Sequence, residues 1–128
     1  MKQDKSNYAD PRPMNLIGLN TELIGDLKTT GDIRLEGYIK GTVTIGGRLV
    51  IGESGKIEGD VFSQDAEIFG QVLGSIKITE LLTLRANAVV KGEISTNKLA
   101  IEPGAVFTGD CKMGNVETPY GQTKTTDE

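Results

Sequence analysis

The side chains of this 128-residue chain that could do chemistry are carboxylates, hydroxyls and one thiol, because it contains no histidine. Without an imidazole, Ser-His-Asp and Cys-His nucleophilic arrangements are ruled out, and so are histidine-bound zinc and iron sites. Glu58 and Asp60 flank Gly59, while Glu93 and Asp110 directly follow glycines. Strand alternation points these carboxylates outward, which makes them a solvated face rather than the paired acid and base of a polysaccharide-cleaving enzyme. Cys111 stands where earlier repeats carry Leu, Val or Ile. It therefore reads as a small buried hydrophobe, not a reactive thiol. Gly46-Gly47 belongs to no strand–loop–helix unit, so there is no phosphate-cradling loop. No catalytic, cofactor-binding or metal-binding residue is assigned, no cofactor is expected, and the chain reads as a non-enzyme.

What organises the chain is a five-residue figure: apolar, any, glycine, any, apolar. Its six copies centre on Gly25, Gly41, Gly59, Gly74, Gly92 and Gly109, spaced 16, 18, 15, 18 and 17 residues apart. Before each copy after the first lies another alternating pair, as in Ile33/Leu35, Leu49/Ile51 and Leu82/Leu84. Alternation is the period-2 signal of half-buried strands, and no segment shows a helical period. A repeat of about 17 residues with three short strands cannot bury its own apolar face, but stacked copies can. The spacing thus predicts an all-β fold: a single-domain, three-sided parallel β-helix of about six coils. At roughly 4.8 Å per coil, the rod is about 25 to 30 Å long.

One inward column is Leu23, Ile39, Ile57, Val72, Val90 and Phe107. The glycines sit at corners, either because two sides converge there or because the bend needs positive φ. The sequence leaves both causes open, and either makes Gly59→Val costly. Variable spacing is absorbed at other bends, short at Leu35-Glu36-Gly37 and longer at 51–55, 84–88 and 101–105. Residues 1–15, with Pro11 and Pro13, read as a disordered N-terminal arm. The β-helix domain spans 16–113, and the polar 114–128 reads as a disordered C-terminal tail.

A net charge of −4 argues against nucleic acid as a partner. A lone cysteine gives no disulfide framework. No apolar run reaches bilayer length, and the N-terminus lacks a signal-peptide core. The default location is cytoplasmic.

A β-helix leaves unpaired backbone groups on its first and last coils, and such edges template further pairing unless capped. Neither end carries a predicted capping helix, and Phe107 is the bulkiest residue of its column at the last coil. A self-association interface is therefore placed at the ends: Phe107, Cys111 and Met113 at one, Leu16, Ile17 and Leu19 at the other. Phe69 and Leu73, outward on one coil, form a candidate lateral patch.

The stretch from Ile33 to Val43, then Leu49-Val-Ile-Gly52, and Glu102-Pro-Gly-Ala-Val-Phe-Thr-Gly-Asp110 resemble the bactofilins, bacterial polymer-forming cytoskeletal proteins. The resemblance covers about residues 16–113. It implies a right-handed β-helix, nucleotide-independent filaments in which like ends join, and an aromatic matching Phe107 at an assembly face. It further implies a scaffold role in cell shape, with cell-wall-modifying enzymes or other cytoskeletal scaffolds as partners beside the protein itself. The cytoskeletal location it implies extends to the inner face of the cell membrane. Many bactofilins attach there through a short apolar N-terminal segment, and residues 1–13 depart from that pattern by carrying almost no apolar surface. The alternatives are a β-helix enzyme of the hexapeptide-repeat acyltransferase type, which normally relies on histidine, or a non-polymerising adaptor.

Overall fold

The computed structural model describes residues 14–114; the expected arm and tail otherwise fall outside the described residues. Ten strands and no helix follow one another along this segment. They are β1 Met14–Ile17, β2 Glu22–Thr29, β3 Asp32–Leu35, β4 Tyr38–Ile45, β5 Arg48–Ile51, β6 Lys56–Ser63, β7 Asp65–Ile68, β8 Gln71–Leu84, β9 Val89–Ile101 and β10 Val106–Met113. Every pairing is parallel. One ladder runs β1-β3-β5-β7 and on through the ends of β8 and β9. The other runs β2-β4-β6-β8-β9-β10. The result is a parallel β-solenoid of six coils, covering residues 14–29, 32–45, 48–63, 65–78, 82–96 and 99–113.

The register stacks like on like. Leu23, Ile39, Ile57, Val72, Val90 and Phe107 form one inward column, and Leu27, Val43, Val61, Ile76, Ile94 and Cys111 a second. A third runs from Ile17 through Leu35, Ile51, Ile68 and Leu84 to Ile101. Inward side chains of the middle coils are almost fully covered. Each Val, Leu or Ile among them contributes about 1.5 to 3 kcal/mol of apolar burial, and the core has no aromatic among its buried members.

The strands pass through the six glycines rather than stopping there, so β4 and β6 each include two sides of a coil bent at the glycine. All six glycines have φ between +131° and +144°, a region that residues with a β-carbon rarely adopt. A β-carbon on Gly59 would also overlap the carbonyl oxygen of Gly41 in the coil beneath, whereas on Gly25, with no coil beneath, it would meet nothing. The two expected causes are therefore separable. Positive φ applies to every copy, while crowding begins at the second and comes from backbone along the stack, not from converging side chains.

The longer bends at 84–88 and 101–105 carry left-handed residues, Asn87 and Gly104, as does the first bend at Asn20, while 51–55 carries none. Asn tolerates this conformation better than most side chains, so the first bend, which the spacing alone did not mark, belongs to the longer class.

Candidate assembly surfaces

Among the described residues, the first and last coils end the ladders with unpaired strand edges and with inward side chains that no further coil covers. Leu84 is fully buried, but Ile101, its column neighbour on the sixth coil, is 49% exposed. Phe107 packs against the core while staying partly exposed. Met113 is 56% exposed although it lies in register with the fully buried Thr96. Cys111 points inward, as its column requires, yet it is exposed. The expectation of a buried thiol is corrected: its column is apolar, but among the described residues no seventh coil covers it.

On the first coil, Ile17, Leu23 and Leu27 occupy inward positions and are only partly buried. Leu16 is in register with Arg34, an outward position, and is 65% exposed. Leu19 lies in the bend and is also well exposed. The structure thus brings Phe107, Cys111 and Met113 together on one face and Ile17 on the other, and it sets Leu16, Leu19 and the highly exposed Ile24 on the outer wall. Leu23, Leu27, Leu99 and Ile101 also belong to the end faces. Reading the first and last member of every column would have found them.

The outer wall is largely self-satisfied. Tyr38, Phe62 and Phe69 each lie under a cation of a neighbouring coil, Lys56, Lys77 and Arg85, at 5.4 to 5.9 Å, a distance at which cation–π attraction operates. Phe69 and Leu73 are both half-buried. An ion-pair chain climbs four coils: Arg48 contacts Glu67 at 2.5 Å, Arg85 contacts Glu67, and Arg85 reaches Glu102 at 2.5 Å. Burial alone would push the Glu67 carboxyl up, but hydrogen bonds from Arg85 and Arg48 outweigh it and hold the group below the usual carboxylate range. Hydrogen bonds from the Arg85 side chain and the Ala86 backbone depress Glu102 likewise.

Two fully buried inward positions are polar. Ser63 donates to the backbone carbonyl of Asp65 at 2.7 Å, and Thr96 to that of Lys98 at 2.8 Å. These hydroxyls satisfy carbonyls where the chain turns from one coil to the next. Among the described residues, no group of three or more Cys, Asp or Glu side chains is placed to hold a metal. No helix among them is long and apolar enough to cross a membrane.

Residues 15–112 match a family described as Bactofilin, polymer-forming cytoskeletal. Bactofilin BacO of Myxococcus xanthus (strain DK1622) is 30% identical over 98 residues, covering 77% of this chain and 78% of BacO. Bactofilin BacP of the same organism is 29% identical over 102 residues, which cover 80% of this chain but 42% of BacP. The solid-state NMR structure of the cytoskeletal bactofilin BacA superposes with a TM-score of 0.73 at 32% identity, covering 79% of this chain and 96% of that one.

Proposed function

The chain belongs to the bactofilin family of polymer-forming cytoskeletal proteins, and from that premise we propose that its rods join end to end, without nucleotide, into filaments that scaffold cell-shape or cell-wall machinery. The observation carrying this reading is the pair of uncapped faces: aligned apolar columns that are buried in coils two to five emerge at both ends. In this reading growth relies on burying these faces and pairing their strand edges. If both faces associate, the product is an open filament.

Charge columns favour like ends meeting. Asp110 is already in register with Glu93. Head-to-tail stacking would continue the ladders, setting Asp110 over the next copy's Asp26 and Lys112 over its Lys28, because each pair shares a column. Like charges directly opposite on adjacent strands are destabilising. A two-fold joint reverses strand direction and avoids both clashes.

Sedimentation of nucleotide-free protein tests this reading. Wild type pellets, whereas Phe107→Arg stays soluble and folded, because burying an unpaired guanidinium in a joint is costly. Equal pelleting of the two would place the joint elsewhere.

A further inference from the structure

The two end faces differ in chemistry, and we propose that the C-terminal face makes the tighter joint, so that a dimer joined through the sixth coils is the unit from which filaments grow. This inference rests on the end-to-end reading above and deepens it.

The contrast appears column by column. On the sixth coil all five inward strand positions are apolar or sulfur-bearing: Leu99, Ile101, Phe107, Cys111 and Met113. The matching positions of the first coil are Asn15, Ile17, Leu23, Leu27 and Thr29. Two of those five are therefore polar, and they are tied together, since the Asn15 side-chain amide donates to Thr29 Oγ1 at 3.2 Å and to the Asp32 carbonyl at 3.3 Å. Closing a joint over the N-terminal face must strip water from this amide, and an amide removed from water without full compensation resists burial. The C-terminal face carries no such penalty among its inward columns. It also exposes the polarisable, conformationally adaptable side chains Met113 and Cys111, which mould to a second copy. A second copy is the fitting occupant because the family is polymer-forming and the face continues columns that elsewhere are covered by another coil of this same chain.

The single cysteine makes the arrangement measurable. Two C-terminal faces in contact bring one Cys111 from each copy to the same seam. A head-to-tail joint instead separates successive Cys111 residues by about one rod length, roughly 29 Å for six coils.

The experiment compares Leu23→Arg, which blocks the N-terminal face, with Phe107→Arg, which blocks the C-terminal face, by light scattering over a concentration series and by a short bis-maleimide cross-linker. Leu23→Arg is expected to hold a mass of two chains and to cross-link to covalent dimer. Phe107→Arg is expected to be a single chain over the same range, dimerising only at concentrations about tenfold or more higher. Adding Asn15→Leu to Phe107→Arg should lower that threshold, a rescue that misfolding cannot imitate. Equal dimerisation of the two blocked variants, or Leu23→Arg dimers that do not cross-link, overturns the inference while leaving end-to-end assembly standing. Wild-type protein that remains a single chain at every concentration, as it would with residues 115–128 covering the face, overturns both.

Discussion

Replacing a corner glycine by alanine separates the two reasons for its presence, and the terminal coils offer a matched pair. Gly25 and Gly109 have φ of +131° and +139°. Both lie on end coils, so local fraying affects them alike. A β-carbon on Gly25 meets nothing within 4 Å, whereas on Gly109 it would lie 1.8 Å from the carbonyl oxygen of Gly92. Both alanines pay backbone strain of about 1 to 3 kcal/mol. For Gly109→Ala the overlap falls about 1.5 Å or more short of van der Waals contact. Relieving it means prising apart coils spaced about 4.8 Å. Losing two neighbouring ladder bonds in the process costs a further 1 to 3 kcal/mol or so. Gly109→Ala should therefore be less stable than Gly25→Ala by about 1 to 3 kcal/mol. The assay is urea unfolding followed by circular dichroism, in a Phe107→Arg background at one low concentration, so that association does not shift the midpoint. Equal losses would refute the crowding argument and leave only φ. Two midpoints equal to the parent would refute the glycine account altogether.

Glu67 and Glu102 titrate below the usual carboxylate range. Their stabilising contribution is thus present above the unfolded-state value of about 4.3 and fades as pH falls through the lower folded value. Urea midpoints measured from pH 7 to 3 should drop at the acid end, and Glu67→Gln should flatten that drop; an unchanged acid limb in Glu67→Gln would contradict the ion-pair chain. Ser63→Ala should cost about 1 kcal/mol by leaving a turn carbonyl short of a donor, and stability at or above wild type would mean the hydroxyl is merely tolerated in an apolar column.

Much of this architecture is legible in the sequence because the glycine figure anchors register. Any residue within four positions of a glycine can be assigned to a face and a column, which is how the column from Leu23 to Phe107 emerges. Precision decays across the bends, whose lengths vary. Leu16 lies beyond such a bend from Gly25 and Leu19 within it, and both take outer-wall positions rather than the end face. The chain of Arg48, Glu67, Arg85 and Glu102 joins residues 17 to 19 apart in sequence, so it is visible only once each bend is fixed. Ser63 and Thr96 sit four positions past Gly59 and Gly92, so alternation points them inward, and only the backbone carbonyls beside them explain how a polar side chain is accommodated there. Exposure of Cys111 follows from where the rod stops, a property of the stack rather than of local alternation.

The most direct test of the account is electron microscopy of purified, nucleotide-free protein with measurement of the axial repeat. Six coils at about 4.8 Å give a subunit rise of roughly 29 Å, and like ends meeting double the repeat to about 58 Å. Filaments with that doubled repeat are the predicted result. Discrete rods of one subunit length at high concentration would contradict end-to-end assembly itself.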